Sequence, residues 1–168
     1  MNWFLKKKTK EDVVEQLPRS GPMIRISESL SDETITVLRA DLPKRELFSK
    51  LVDLLKLPEP EIILRSVLAR EQIGSTVIEK GLAIPHARIH GLRRIHAALG
   101  IIPDADVSLC LLFVGPTDDM KGHLGFLAAA ASLFQNEEFR QSLTRLGNSR
   151  AIIERILMEE RKVQEAES

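Results

Sequence analysis

"VSLCLLFVGPTDDMKGHLGFLAAAASLF", Val107–Phe134, decides the fold class. From Val107 to Val114 only Ser108 interrupts an apolar run. A strand buried on both faces needs that composition; one with a wet face would alternate. Gly115 and Pro116 then punctuate the chain, and "GPTDD" opens a helix running through "MKGHLGFLAAAASLF". Its alanines, Ala128–Ala131, let that helix approach a sheet closely.

Upstream, "IHAALGII" (Ile95–Ile102) reads as a partner strand, joined to the first by a turn at "PDAD". "LAI" (Leu82–Ile84) and the β-branched "TITVLRA" (Thr34–Ala40) read as two further strands. Between them, "PKRELFSKLVDLLKL" (Pro43–Leu57) places Leu47, Phe48, Leu51, Leu54 and Leu55 at helical spacing. "PEPEIILRSVLARE" (Pro58–Glu71) is a second helix with Ile62, Ile63, Leu64, Val67 and Leu68 apolar, and "QIGST" after it is a loop. Downstream, "EEFRQSLTRL" and "SRAIIERILMEE" are helices, and the charged tail from Glu159 is expected to fray. Strands separated by helices indicate an α/β sandwich.

The chain has 168 residues, enough for one domain with a sizeable core, and 43% are hydrophobic. The expected organisation is an N-terminal appendage over 1–24, a main domain over 25–158 and the tail over 159–168. The appendage holds a short amphipathic helix, "EDVVEQL", and a linker, "PRSGP". Its start, "MNWFLKKKTK", lacks the long apolar region of a secretory signal. Trp3, Phe4 and Leu5 beside Lys6–Lys8 suit an anionic membrane surface less well than a solvated terminus.

Twenty-four basic and 24 acidic residues give zero formal charge, so no bulk field draws the protein to nucleic acid. Aromatics are few and tyrosine is absent, which removes a base-stacking platform. No apolar run approaches a membrane span, so no integral membrane segment is expected. The one cysteine, Cys110, permits no disulfide within the chain, and a cytoplasmic setting is the simplest. Neither a GxxxxGK[ST] loop nor a GxGxxG motif occurs.

The chemistry-bearing residues are the histidines. His86 follows Pro85 at the exit of a short apolar strand, where open α/β folds build sites. Neutral imidazole is nucleophilic at pH 7 without prior deprotonation. The plain alternative is a loop histidine. His123 sits in the first turns of the helix after "GPTDDMK", near N–H groups and a dipole end that favour a neutral ring and a phosphate. Arg70 ends a helix; its guanidinium suits a phosphoryl group or, alternatively, its own helix's last carbonyls. His86 and His90 have the i, i+4 spacing of a metal pair, but "ARI" between them carries no glutamate. A third ligand must come from His96, Cys110 or His123. His96 lies in a strand pattern and reads as structural.

Taken together, "REQIGSTVIEKGLAIPHARI" (Arg70–Ile89) resembles the active-site signature of type 2 enzyme IIA domains of the bacterial phosphoenolpyruvate-dependent phosphotransferase system, the fructose, mannitol and nitrogen-regulatory kind. "KGHLGFLAAAASLF" resembles that family's second-histidine helix, and the order of elements agrees from about Thr34 to Leu157. The resemblance implies a mixed β-sheet flanked by helices on both sides. It assigns His86 as the phosphorylated histidine and His123 as the second active-site histidine. Arg70 matches the active-site arginine, and Ser75 and Thr76 match the loop under the phosphohistidine. It implies a phosphohistidine carrier, a transferase if counted as an enzyme, with no cofactor and no metal. The implied donor is an HPr-like phosphocarrier, and the acceptor an enzyme IIB or a regulated protein. Three departures stand out. "VIEK" (Val77–Lys80) replaces the usual Gly-Ile-Gly-Asn, Ala87 replaces a common glycine, and "PDAD" is a shortened connection. The short "PDAD" connection and the absence of a fused membrane or IIB segment favour a nitrogen-regulatory role over a sugar-specific one, while "VIEK" motivates an alternative. The alternative is a divergent regulatory interaction domain without efficient phosphotransfer.

Overall fold

The structure, a computed structural model, describes residues 23–79 and 81–168. The expected helix Glu11–Leu17, the linker Pro18–Pro22 and the segment Trp3–Lys8 lie outside the described residues. So do Lys80 and the side chain of Glu79.

Two 3-10 turns, Ile26–Ser29 and Asp32–Thr34, lead into strand β1 (Ile35–Val37). Helices α1 (Lys44–Leu54) and α2 (Pro60–Ile73) follow, then β2 (Val77–Glu79), β3 (Leu82–Ala83), β4 (His86–Ile89), β5 (His96–Ile101) and β6 (Leu109–Pro116). Helices α3 (Met120–Leu133), α4 (Glu137–Thr144) and α5 (Ser149–Ala166) complete the chain. Local chemistry sets the boundaries. Helix α1 stops before Leu57 because Lys56 is left-handed, at φ 53°. Pro60 occupies the first turn of α2, where a missing N–H costs nothing. Asp119, Asn136 and Asn148 cap α3, α4 and α5 through side-chain oxygens on Gly122, Phe139 and Ala151 N–H groups.

The sheet is mixed, in the order β1-β5-β6-β3-β2 with β4 also on β6. β5 and β6 form an antiparallel pair, while β1 runs parallel to β5 and both β3 and β4 run parallel to β6. β6 is buried along its whole length and sends side chains alternately to two cores. Leu109, Leu111 and Phe113 enter the core under α3, α4 and α5, with Phe126, Phe134 and Phe139. Cys110, Leu112 and Val114 enter the core under α1 and α2, with Leu51, Ile63 and Val67. Helices thus cover both faces, as the resemblance implies. α1 comes so close that a Cβ on Gly100 of β5 would lie 3.3 Å from Leu51 Cδ2.

Three expectations are corrected. The sheet has two strands more than the sequence pattern suggests, because β2 and β4 fall where loops are expected. His86 therefore does not leave a strand. β3 and β4 are one line of pairing along β6, broken at Ile84-Pro85, and His86 opens its second half. Proline has no N–H to give, but its carbonyl accepts from Phe113 N (3.0 Å), which carries the ladder across the break. Third, the tail is helical: α5 continues to Ala166. Glu159 pairs with Arg155 at 3.0 Å, and Glu160 accepts from Ser27 N at 3.1 Å and from Ser27 Oγ. No helix among the described residues is long and apolar enough to cross a membrane.

Candidate functional site

The parallel register sets His86 beside Phe113, on the face that carries α3. The imidazole is buried and stacks on the Phe113 ring, centroids 5.4 Å apart and planes 19° from parallel. Its Nδ1 lies 2.8 Å from the Ile84 carbonyl oxygen. A carbonyl only accepts, so the Nδ1 proton donates and the lone pair resides on Nε2. The broken strand makes this contact: Pro85 turns the chain so that the carbonyl two residues back meets the ring.

His123 comes from α3, and its ring packs edge-on to His86 with centroids 5.2 Å apart. It also tilts against Phe113, at 4.9 Å. Its Nδ1 is the one buried side-chain nitrogen or oxygen among the described residues without a hydrogen-bond partner. A buried N–H without an acceptor is costly, so the neutral ring keeps its proton on Nε2. One histidine of the pair thus has a bare Nε2, and the other has a protonated Nε2.

Both rings are held neutral at pH 7. Burial lowers the His86 pKa, aided by the Arg70 charge and opposed by the bond to Ile84 and the charge of Glu71. Burial likewise lowers His123, to about 4, with His86, Arg88 and Arg70 adding to the effect and Asp119 opposing it.

Arg70 serves its helix end and the site together. Its Nη1 donates to the Gly74 carbonyl at 3.1 Å, at the C-cap of α2, while its charge falls on both histidines. Ser75 is exposed, and its Oγ accepts from Val77 N at 3.2 Å. Thr76 is buried and its donors are taken: N and Oγ1 both give to Glu71 Oε2, at 3.1 and 2.5 Å. Its carbonyl accepts from Ile84 N. Thr76 thus clips the loop beneath the strand break. Burial raises the Glu71 carboxyl pKa, but the bonds from Thr76 and Lys44 outweigh it and hold the group below its ordinary value.

The first turn of α3 is less open to an anion than its sequence suggests. Gly122 N already donates to Asp119 Oδ1 at 2.8 Å, and His123 N donates to the Asp119 carbonyl at 3.1 Å. The i, i+4 pairing of His86 and His90 also fails on geometry. It needs a helix, whereas an extended chain sets the two residues about 13 Å apart. His90 is exposed, and Cys110 is buried in the opposite core with its thiol pKa pushed up by burial. Among the described residues no group of three metal-capable side chains forms. His96 opens β5, and burial followed by the Arg94 charge lowers its pKa. Sequence reasoning missed Glu71, Phe113 and Arg88. Glu71 stood in the quoted signature without a role, and Arg88 had a signal too: two residues beyond His86 in an extended chain, it shares that residue's face.

Residues 28–159 match the family model described as "Phosphoenolpyruvate-dependent sugar phosphotransferase system, EIIA 2". The chain belongs to this family. Among enzyme IIA relatives, it is 28% identical over 134 residues to the nitrogen regulatory protein of Pseudomonas aeruginosa, covering 72% of this chain and 87% of that one. The nitrogen regulatory protein of Escherichia coli K12 is 33% identical over 87 residues, 46% of this chain and 53% of that one. The crystal structure of nitrogen regulatory protein IIA-Ntr from Neisseria meningitidis superposes with a TM-score of 0.70 at 27% identity, over 78% of this chain and 98% of that one. The IIA mannitol structure from Escherichia coli superposes with a TM-score of 0.63 at 17% identity, over 76% and 98%, which shows a shared fold. This enzyme IIA fold is the mixed, doubly covered sheet described above.

Proposed function

We propose that this enzyme IIA domain carries a phosphoryl group on Nε2 of His86, accepting it from an HPr-like phosphocarrier. The observation that carries the reading is the Nδ1 bond to the Ile84 carbonyl, which leaves a buried, neutral imidazole with its lone pair on Nε2. In the transfer, the N–P bond of the donor phosphohistidine breaks and its electron pair returns to the donor ring. The His86 Nε2 lone pair forms the new N–P bond, and its ring proton stays on Nδ1, donated to the Ile84 carbonyl. No proton need cross, so positioning and charge stabilisation carry the catalysis. His123 donates Nε2–H to a phosphoryl oxygen, and Arg70 supplies positive charge from the end of α2. Thr76 and Ser75 hold the loop beneath.

The onward acceptor is an enzyme IIB or a regulated protein that reads the added charge. The nitrogen regulatory names of two sequence relatives and of the Neisseria structure favour the second. A complex of mannitol IIA with phosphorylated IIB, a fold neighbour at 15% identity, illustrates the first. Exposed Ile73, Val77 and Ile78, between α2 and β2, offer an apolar rim for such partners. The test is incubation with phosphoenolpyruvate, enzyme I and HPr. Intact mass should rise by one phosphate, lost in acid, and His86→Ala should gain none. Equal labelling of His86→Ala rules the assignment out.

A further inference from the structure

We propose that Arg88 is a second phosphoryl-binding guanidinium, waiting on the α3 side of His86 and tethered by the Thr117 carbonyl. The inference rests on His86 as the acceptor and adds a residue to that site. β4 places His86 and Arg88 on one face, while Ala87 and Ile89 turn to the core under α1 and α2. That shared face meets α3, and Arg88 reaches the connection leading into it: Nη1 donates to Thr117 O at 3.3 Å. This is a long bond to a neutral acceptor. Arg88 is exposed and enters no salt bridge among the described residues, although Asp118 and Asp119 lie in the same connection. Asp119 is engaged in capping α3.

Among the described residues the Arg88 guanidinium, whose charge reaches the neutral His123 ring, makes no ion pair. A phosphoryl group on His86 supplies the partner. Exchanging the Thr117 carbonyl for a phosphoryl oxygen turns a weak neutral bond into a charge-assisted one. Arg70 approaches from the layer of α1 and α2, and Arg88 from the face of α3, so the two cations bracket the group. The field of Arg88 at His123 exceeds that of Arg70, whereas Arg70 is the cation that acts on the resting His86 ring, which sets Arg88 on the His123 side of the pair.

The experiment compares wild type with Arg88→Gln, Arg88→Lys and Arg93→Gln, the last removing an equal charge from an exposed neighbour. Uptake from phosphorylated HPr is timed in single turnover, and the phosphoryl group on the protein is titrated by 31P NMR. Arg88→Gln should slow uptake about tenfold or more and raise the pH at which the phosphoryl group takes up its proton. Arg88→Lys should recover part of both, and Arg93→Gln should match wild type. Unchanged uptake and titration in Arg88→Gln overturn the role of Arg88 alone. An equal loss in Arg93→Gln also overturns it, since bulk charge then explains the effect. If wild type takes no phosphate on His86, this inference and the carrier reading fall together.

Discussion

The unpartnered Nδ1 of His123 costs stability and makes sense only as part of a site. An orphaned buried polar atom costs about 1–3 kcal/mol, and here the ring is aimed at another histidine. Removing its Nε2 donor should raise the transfer barrier by about 1–3 kcal/mol, so His123→Ala should slow phosphoryl transfer roughly ten- to hundredfold while His86 remains the acceptor. Transient kinetics with phosphorylated HPr measures this, and an unchanged rate counts against the donor role. The same residue carries a pH signature. Its folded pKa, about 4, lies below the ordinary 6.5, so between those values the unfolded chain binds more protons. The associated stability is present above pH 6.5 and is lost as pH falls toward 4. Urea unfolding should show wild type losing about 1–2 kcal/mol more than His123→Phe over that window, after allowance for solvent screening. Parallel pH curves would contradict it.

At the scale of elements, the break at Ile84-Pro85 and its support by Glu71 position the nucleophile. Glu71 holds Thr76 by two bonds, and Thr76 O holds Ile84 N, the residue whose carbonyl orients His86. Glu71→Ala strands the buried Thr76 donors and should cost about 1–3 kcal/mol in thermal or urea unfolding. It should also slow phosphoryl uptake more than the substitution of an exposed acid such as Glu33. A variant as stable and as fast as wild type would show that the clip is idle. These elements also mark what the sequence made legible. The apolar run of β6 and the heptad-like spacing of α1 announce themselves, because burial on fixed faces dictates composition. β2 and β4 do not. β2 is a short edge strand with Val77 and Ile78 exposed, and β4 begins with a histidine after a proline and carries an arginine. β4 is held by register along β6 and β2 by pairing with β3, tertiary properties that three- and four-residue windows do not encode. The candidate site was legible only as residue types in a pattern. The strand position of His86, the occupied first turn of α3 and the place of Arg88 required the sheet.

Across the whole molecule, one sheet separates two cores, and the candidate site lies beside Phe113, toward the end of β6. The α3 core is closed by the first described turn and the last helix. The turn at Ile26–Ser29 docks on α5 through Ser27 and Glu160, 133 positions apart in sequence. Arg155 lies 4.8 Å over the Phe139 ring and binds Glu159 in the next turn. Charge in the last stretch therefore signals a docked helix, which a composition reading takes for a loose tail. Glu160→Ala should destabilise the protein by about 1–2 kcal/mol, read as a lowered urea midpoint, whereas Glu167→Ala near the end of α5 should leave it unchanged. Equal effects would place the closure elsewhere.

The central claim is that His86 accepts a phosphoryl group on Nε2 while Nδ1 stays bound to Ile84. The most direct measurement is 15N and 31P NMR of histidine-labelled protein after phosphorylation through HPr. The expected spectrum shows one phosphohistidine, at His86, with phosphorus coupled to Nε2 and the proton retained on Nδ1. Phosphorus on Nδ1, phosphorus on His123, or an unmodified protein would contradict it.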